Sequence, residues 1–289
     1  MMDNPGQNRN KFATGFSSFD SITGGGLPRS SAIALIGKAG SEKTLLARQI
    51  VWYSLQKGAR VLYYTVDQGA EEFRFDMLSR DWDVKPYEDN GMLKIVDVFS
   101  SGSDKMVVEL NKLADTLERN EKTTDIDGNI DELDLDNANK ISESFNKMSN
   151  VDYHKRIYDL NLVYKEGIRF ISPFSIKSFK HRIAVFDSLS PLFSTNTEGV
   201  FQLLHVLKFA TRAGKATGIG IMHAGVHGTE TEEKFKSIAD AIVEVDSREG
   251  SSSFIKIKKY AGKYGTGPFP LEQNEQGIKI IPLVMPELF

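Results

Sequence analysis

Gly37-Lys38-Ala39-Gly40-Ser41-Glu42-Lys43-Thr44 decides the reading of this chain. A phosphate-binding loop follows G-x-x-x-x-G-K-[ST], and every position is met here except the second glycine, which is Glu42. The residues before it, Ser31 to Gly37 (SAIALIG), form a short apolar run of strand type. Those after it, Lys43 to Gln56, carry Leu45, Leu46, Ile50, Val51 and Leu55 at helical spacing. A strand that turns through glycines into a helix aims the free amides of the first helical turn at an anion. A glycine-rich turn alone explains the glycines, but not Lys-Thr at the required offset. On this reading Gly37, Gly40, Ser41, Glu42, Lys43 and Thr44 cradle the phosphates of ATP. Lys43 reaches the β and γ phosphates and acts in catalysis, and the Thr44 hydroxyl helps hold Mg2+.

Glu42 bears on the binding of both ATP and Mg2+. Glycine at that position lets the main chain lie against the phosphates. Glutamate adds a side chain and a negative charge. Two unit charges about 4 Å apart interact by ~4 kcal/mol at an effective dielectric near 20. A third of that weakens binding about tenfold. The carboxylate has three places to go: against the phosphates, outward where its charge suits a helix start, or into the anion site, bonded to Lys43.

Further along, Val61 to Val66, Leu93 to Phe99, Arg182 to Asp187 and Gly218 to His223 read as strands. Ala70 to Arg80, Asp104 to Arg119 and Val200 to Ala213 read as helices. This β-α-β rhythm predicts an α/β fold with a mostly parallel, doubly wound sheet. Ala241 to Val245, Phe254 to Lys259 and Ile278 to Ile281 predict antiparallel C-terminal strands. Residues 121–165 interrupt the rhythm. Their centre, EKTTDIDGNIDELDLDNAN, holds seven acids against one lysine, which suggests a polar surface insertion able to take a protein partner. Lys140 to Tyr164 keeps enough apolar residues for a small helix or two. Residues 1–289 are read as one domain with this insertion.

Strand ends supply the remaining candidates. Asp187, ending RIAVFD, would orient Mg2+ beside Thr44, or cap the next segment. Asp67 and Gln68 follow the second strand, near the γ phosphate if the strands are adjacent. Asp67 would then activate water; its alternative role is to cap the helix at Ala70. His223 meets a phosphate oxygen or is an ordinary loop histidine, and Met222 beside it belongs in the core.

Of the 289 residues 40% are hydrophobic and 26% charged, with a net charge of −3. That is ordinary for a globular chain and offers no global attraction to a polyanion. Cysteine is absent, which excludes disulfides, thiolate metal sites and cysteine nucleophiles and suits a cytoplasmic protein. No apolar run is long enough to span a bilayer, and the first residues lack a signal-peptide core.

Several segments together resemble the RecA-type ATPases, and within them the KaiC-like proteins. Thr14 to Ser31 (TGFSSFDSITGGGLPRSS) is similar to the family's entry segment, with Phe19-Asp20 at its Leu-Asp. The phosphate loop follows at the usual spacing. His181 to Leu192, Lys234 to Asp246 and Phe254 to Gly265 resemble the magnesium strand, a helix–strand ladder and a late strand and loop. The resemblance falls within residues 12–100 and 181–282. It implies a RecA-like P-loop NTPase core that binds ATP between neighbouring subunits, often in a hexameric ring. By position it implies phosphate and magnesium roles for Lys43 and Thr44, and the second-strand acid at Asp187. Asp67-Gln68 falls where the clock protein has a glutamate pair. Lys259 falls on a lysine that reaches the neighbour's γ phosphate, and Ala261 replaces an arginine two residues later.

Glu42, Asp67-Gln68 and Ala261 all depart toward weak or absent turnover, and they weaken the case for an ATP-bridged ring of identical copies. The expected function is therefore a KaiC-like nucleotide-binding regulatory protein. A nucleotide-independent scaffold and a DNA-repair accessory ATPase are the alternatives. Nucleic acid would meet the late run Lys256, Lys258, Lys259 and Lys263 with Tyr260 and Tyr264; a solvated strand face explains the same residues. Thr123 to Asp134 imperfectly matches a calcium loop, with an acidic linker as the plainer reading.

Overall fold

Strands buried on both faces need helices on both sides, and the apolar runs around the phosphate loop meet that demand. A computed structural model describes residues 10–101, 160–171, 179, 181–213, 216–247, 253–260 and 263–281. The N-terminal part runs β1 (Lys11–Phe12), α1 (Ser17–Ile22), β2 (Leu27–Pro28), β3 (Ala32–Gly37), α2 (Lys43–Gln56), β4 (Arg60–Thr65), α3 (Ala70–Leu78), α4 (Lys85–Asp89) and β5 (Leu93–Asp97). The next described helix is α5 (Leu160–Ile171), followed by β6 (Arg182–Asp187), α6 (Ser190–Ala213), β7 (Ala216–His223), α7 (Gly228–Ile238) and β8 (Ala241–Ser247). Three strands close the described chain: β9 (Ser253–Tyr260), β10 (Lys263–Asn274) and β11 (Gly277–Ile280).

Among the described residues these build a nine-stranded sheet in the order β11-β10-β9-β8-β3-β7-β6-β4-β5. From β8 to β5 the strands are parallel, and β9, β10 and β11 add an antiparallel end. The predicted fold class is therefore the observed one. Strand alternation divides the core in two. Ile33, Leu35, Val61 and Tyr63 face α2 with Leu46, Ile50 and Val51. Ala34, Ile36, Leu62 and Tyr64 face the other layer with Leu189, Leu203 and Phe235. Met222 is buried there, as expected. The entry segment is held by Asp20, whose carboxylate accepts from the Thr14 amide (2.9 Å) and the Thr14 hydroxyl (2.6 Å), while Phe19 enters the core.

Several details differ from the sequence reading. β5 stops at Asp97 because its carboxylate accepts from the Ser100 amide (2.7 Å) and turns the chain into a helix. The same carboxylate accepts from the Ala70 amide (2.9 Å), so α3 is capped from β5. The helix predicted from Val200 begins at Ser190, across a break at Asn196. The condition set for Asp67, β4 adjacent to the loop strand, is not met, since β7 and β6 lie between β3 and β4.

The tail of the predicted insertion, residues 160–165, opens α5, where Val163 is buried and its carbonyl accepts from the Tyr64 hydroxyl (2.9 Å). The rest of the insertion, the helix expected at Asp104 to Arg119, the calcium-like loop Thr123 to Asp134, and Ala261 lie outside the described residues. Among the described residues no helix is long and apolar enough to cross a membrane.

His181, just before β6, yields a pH prediction. It is buried against the Phe12 ring (4.6 Å), and burial, then the nearby Arg29 charge, push its pKa down to about 3. The unfolded chain takes up this proton near pH 6.5 and the folded chain does not, so stability falls as pH drops through that window. At pH 5 the loss is about 2 kcal/mol. Denaturant unfolding of His181→Gln between pH 7 and 5 should show a shallower slope than the natural chain; parallel slopes would dismiss this group as the cause.

Candidate functional site

The loop after β3 sits where parallel strands end, the usual ligand position in such a sheet. Lys43, the first residue of α2, is 4% exposed. Its ammonium donates to the Lys38 carbonyl (2.5 Å) and to Ser41 Oγ (3.2 Å). Burial pushes its pKa down to about 8, opposed by the carboxylates of Asp187, Asp67 and Glu42, so it stays mostly charged at pH 7. Glu42 has φ 64° and ψ 15°, the left-handed region. Here lies the reason the loop pattern asks for glycine: the position needs a positive φ, which a residue with a Cβ adopts at a cost of ~1–2 kcal/mol. Lys43 is bonded within the loop and not to Glu42, which removes the third of the three carboxylate placements. Glu42 instead contributes to the wall of the cavity beside the loop.

Asp187 lies across from Thr44. The Thr44 hydroxyl donates to Oδ1 (2.8 Å), the Tyr63 hydroxyl donates to Oδ2 (2.5 Å), and Arg48 Nη2 stands 3.7 Å from Oδ2. Asp187 therefore does not cap the following helix; it ties β6 to α2 and β4. Arg48 also pairs with Asp76 of α3 (2.9 Å) and lies over the Phe73 ring (5.5 Å). Burial and the Asp187 charge push the Tyr63 pKa up, so it remains a donor. Sequence reasoning missed Arg48, Tyr63 and Asp76. One signal was available for Arg48: it lies four residues after Thr44, on the same helix face.

Asp67 follows β4, with His223 Nε2 3.9 Å away. Burial, then the Lys43 charge, push the His223 pKa down. The Ser190 hydroxyl accepts from the His223 amide (2.8 Å). Gln68 turns to Asp76 (3.5 Å). Asp67 thus shares the field of Lys43, although two strands separate β4 from β3.

Lys259 is elsewhere. It pairs with Ile242, whose neighbour in β3 is Ala34, three residues before Gly37. That is about 10 Å along the strand. Its ammonium donates to the Ala239 carbonyl after α7 (2.7 Å). The other late lysines with described side chains are also engaged: Lys258 with Glu244 (3.4 Å), and Lys256 over Phe254 (4.8 Å).

A cavity of about 310 Å³ opens beside the loop, lined by Gly40, Ser41, Glu42, Lys43 and Thr44 on one side and Asp76, Ser79 and Arg80 on the other. Its donors suit a polyphosphate. For a divalent ion, Thr44 gives its proton to Asp187 and keeps an oxygen lone pair free for a metal. Among the described residues no cluster of three or more His, Asp or Glu forms a metal cage, so phosphate oxygens and water would complete the coordination.

A mostly parallel sheet with a Lys-Thr loop at one strand end and an acid at another is the arrangement that the resemblance to RecA-type proteins implied. The family model described as "ATPase: KaiC" matches residues 12–151. UPF0273 protein PH0284 of Pyrococcus horikoshii is 36% identical over 92 residues, covering 32% of this chain and 37% of that protein. The circadian clock protein KaiC3 of Synechocystis is 31% identical over 108 residues, covering 37% of this chain and 21% of KaiC3. The matched segments thus span well under half the length of these relatives. The crystal structure of KaiC-like protein PH0186 of Pyrococcus horikoshii shares the fold, with TM-score 0.58 and 18% identity over 94% of this chain and 99% of that one. The family model reaches just under half of this chain, and the fold this chain shares is that of a KaiC-like protein.

Proposed function

We propose that the chain is a nucleotide-binding regulatory protein that takes ATP with Mg2+ at the loop and hydrolyses it weakly or not at all. The observation that carries the binding half is the 2.8 Å bond from Thr44 to Asp187, which joins the two predicted magnesium residues across the site beside a buried Lys43. Loop amides from Gly40 to Thr44 would hold the phosphates, and Lys43 would exchange the Lys38 carbonyl for a phosphate oxygen. Magnesium would supply charge neutralisation between the phosphates. Poor turnover would follow from Asp67, an acid one methylene shorter than the glutamate at that place in the family, and from Lys259, which would serve only the nucleotide of another copy. The scaffold reading draws on Glu42, whose charge stands at the cavity wall.

Glu42→Gly tests the assignment. It relieves the left-handed backbone and removes the charge, so ATP affinity should rise about tenfold, a gain of ~1.4 kcal/mol. Lys43→Ala in the same background should abolish that binding. Calorimetry giving equal affinities for the natural chain and Glu42→Gly would refute the role of Glu42. No binding by either would favour the scaffold, and phosphate release that depends on Lys43 at ordinary ATPase rates would overturn the weak-turnover half.

A further inference from the structure

Asp187 is more heavily engaged than a magnesium-orienting acid needs to be. A carboxylate oxygen has two acceptor positions. One of those on Oδ2 is taken by the Tyr63 hydroxyl at 2.5 Å, and Arg48 Nη2 forms an ion pair with the same oxygen at 3.7 Å. Oδ1 accepts from Thr44 and keeps one position. Tyr63 is fully buried and the Arg48 side chain is 9% exposed, so solvent screens this arrangement little. Arg48 lies four residues after Thr44, so one helix face delivers both the hydroxyl and the guanidinium to the same carboxylate.

We propose that Arg48 is a built-in cation of the nucleotide site. It offsets the Asp187 charge from inside the fold and leaves ATP binding only weakly dependent on magnesium. The proposal rests on the nucleotide-binding reading above. A divalent ion is drawn to Thr44 and Asp187 by the negative potential there. A guanidinium keeps its charge at every accessible pH, and here it lowers that potential permanently. It also lines the cavity beside the loop, where its charge would meet bound phosphates before any metal arrives. A purely structural ion pair would join α2 to α3 through Asp76 and leave magnesium dependence untouched, so the two roles are separable by experiment.

The measurement is the affinity of the full chain for a fluorescent ATP analogue, titrated once with excess magnesium and once with EDTA. The expected ratio of the two affinities is below about threefold for the natural chain. In Arg48→Met the ratio should rise to tenfold or more, and in Arg48→Lys, which keeps the charge, it should stay near the natural value. Circular dichroism checks that each variant is folded; if Arg48→Met is not, the natural ratio and Arg48→Lys decide. A natural ratio of tenfold or more, or an Arg48→Met ratio equal to the natural one, overturns the proposal while nucleotide binding stands. No binding under either condition, in the natural chain and in Glu42→Gly alike, overturns the nucleotide reading and this inference with it.

Discussion

Asp187→Ala is expected to lower the unfolding free energy by about 3 kcal/mol, the lower end of what breaking a buried ion pair costs. The carboxylate is 5% exposed and receives the Thr44 and Tyr63 hydroxyls as well as the Arg48 charge. Alanine leaves the Tyr63 hydroxyl buried without its acceptor and Arg48 with one carboxylate fewer. Arg48 keeps Asp76 at 2.9 Å, which is why the loss does not reach the upper end. Asp187→Asn retains one acceptor oxygen for the two hydroxyls and should lose about half as much. Urea unfolding of the three proteins checks the order. If alanine and asparagine proved equally mild, within about 0.5 kcal/mol of the natural chain, Asp187 would be serving a ligand and not the fold.

The legibility of this site varied with what each residue's neighbours reveal. β3, α2 and β6 were readable because their apolar periods are unbroken and their ends carry Gly37, Lys43 and Asp187. α2 begins and ends where periodicity placed it. β10 was not readable: Gly265, Gly267, Pro268 and Pro270 hide its pattern, and its register shifts between Thr266 and Phe269. A glycine or proline at such an irregularity looks in sequence like a loop. The cap of α3 was invisible for another reason. Asp97 lies 27 residues from the amide it holds, so only the pairing of β5 beside β4 reveals it. Arg48 and Tyr63 sit among apolar neighbours on a buried helix face and a buried strand. Their polar ends matter only because β6 brings Asp187 against both.

Gly37→Ala should cost about 3 kcal/mol, a drop in melting temperature of roughly 6–12 °C. A Cβ at Gly37 would stand 1.9 Å from the Val245 carbonyl oxygen and 2.5 Å from Ser41 Oγ. The first contact is with backbone of β8, so no rotamer relieves it. Retreat toward the other neighbour is blocked as well, because the Gly37 carbonyl accepts from the Ala224 amide beyond β7 (2.8 Å). The strand must therefore part from β8 or lose its hold on β7. Displacing Ser41 would also disturb the oxygen that accepts from Lys43, so nucleotide affinity should fall with stability. Gly40→Ala separates two causes. Nothing lies within 4 Å of a Cβ there, but φ is 73°, so only the backbone penalty of about 1 kcal/mol applies. The loop thus needs its small residues for different reasons: close approach at Gly37, a positive φ at Gly40, and the same φ at Glu42, where the chain accepts the strain and places a carboxylate. Thermal melts ranking Gly37→Ala no worse than Gly40→Ala would contradict the steric argument.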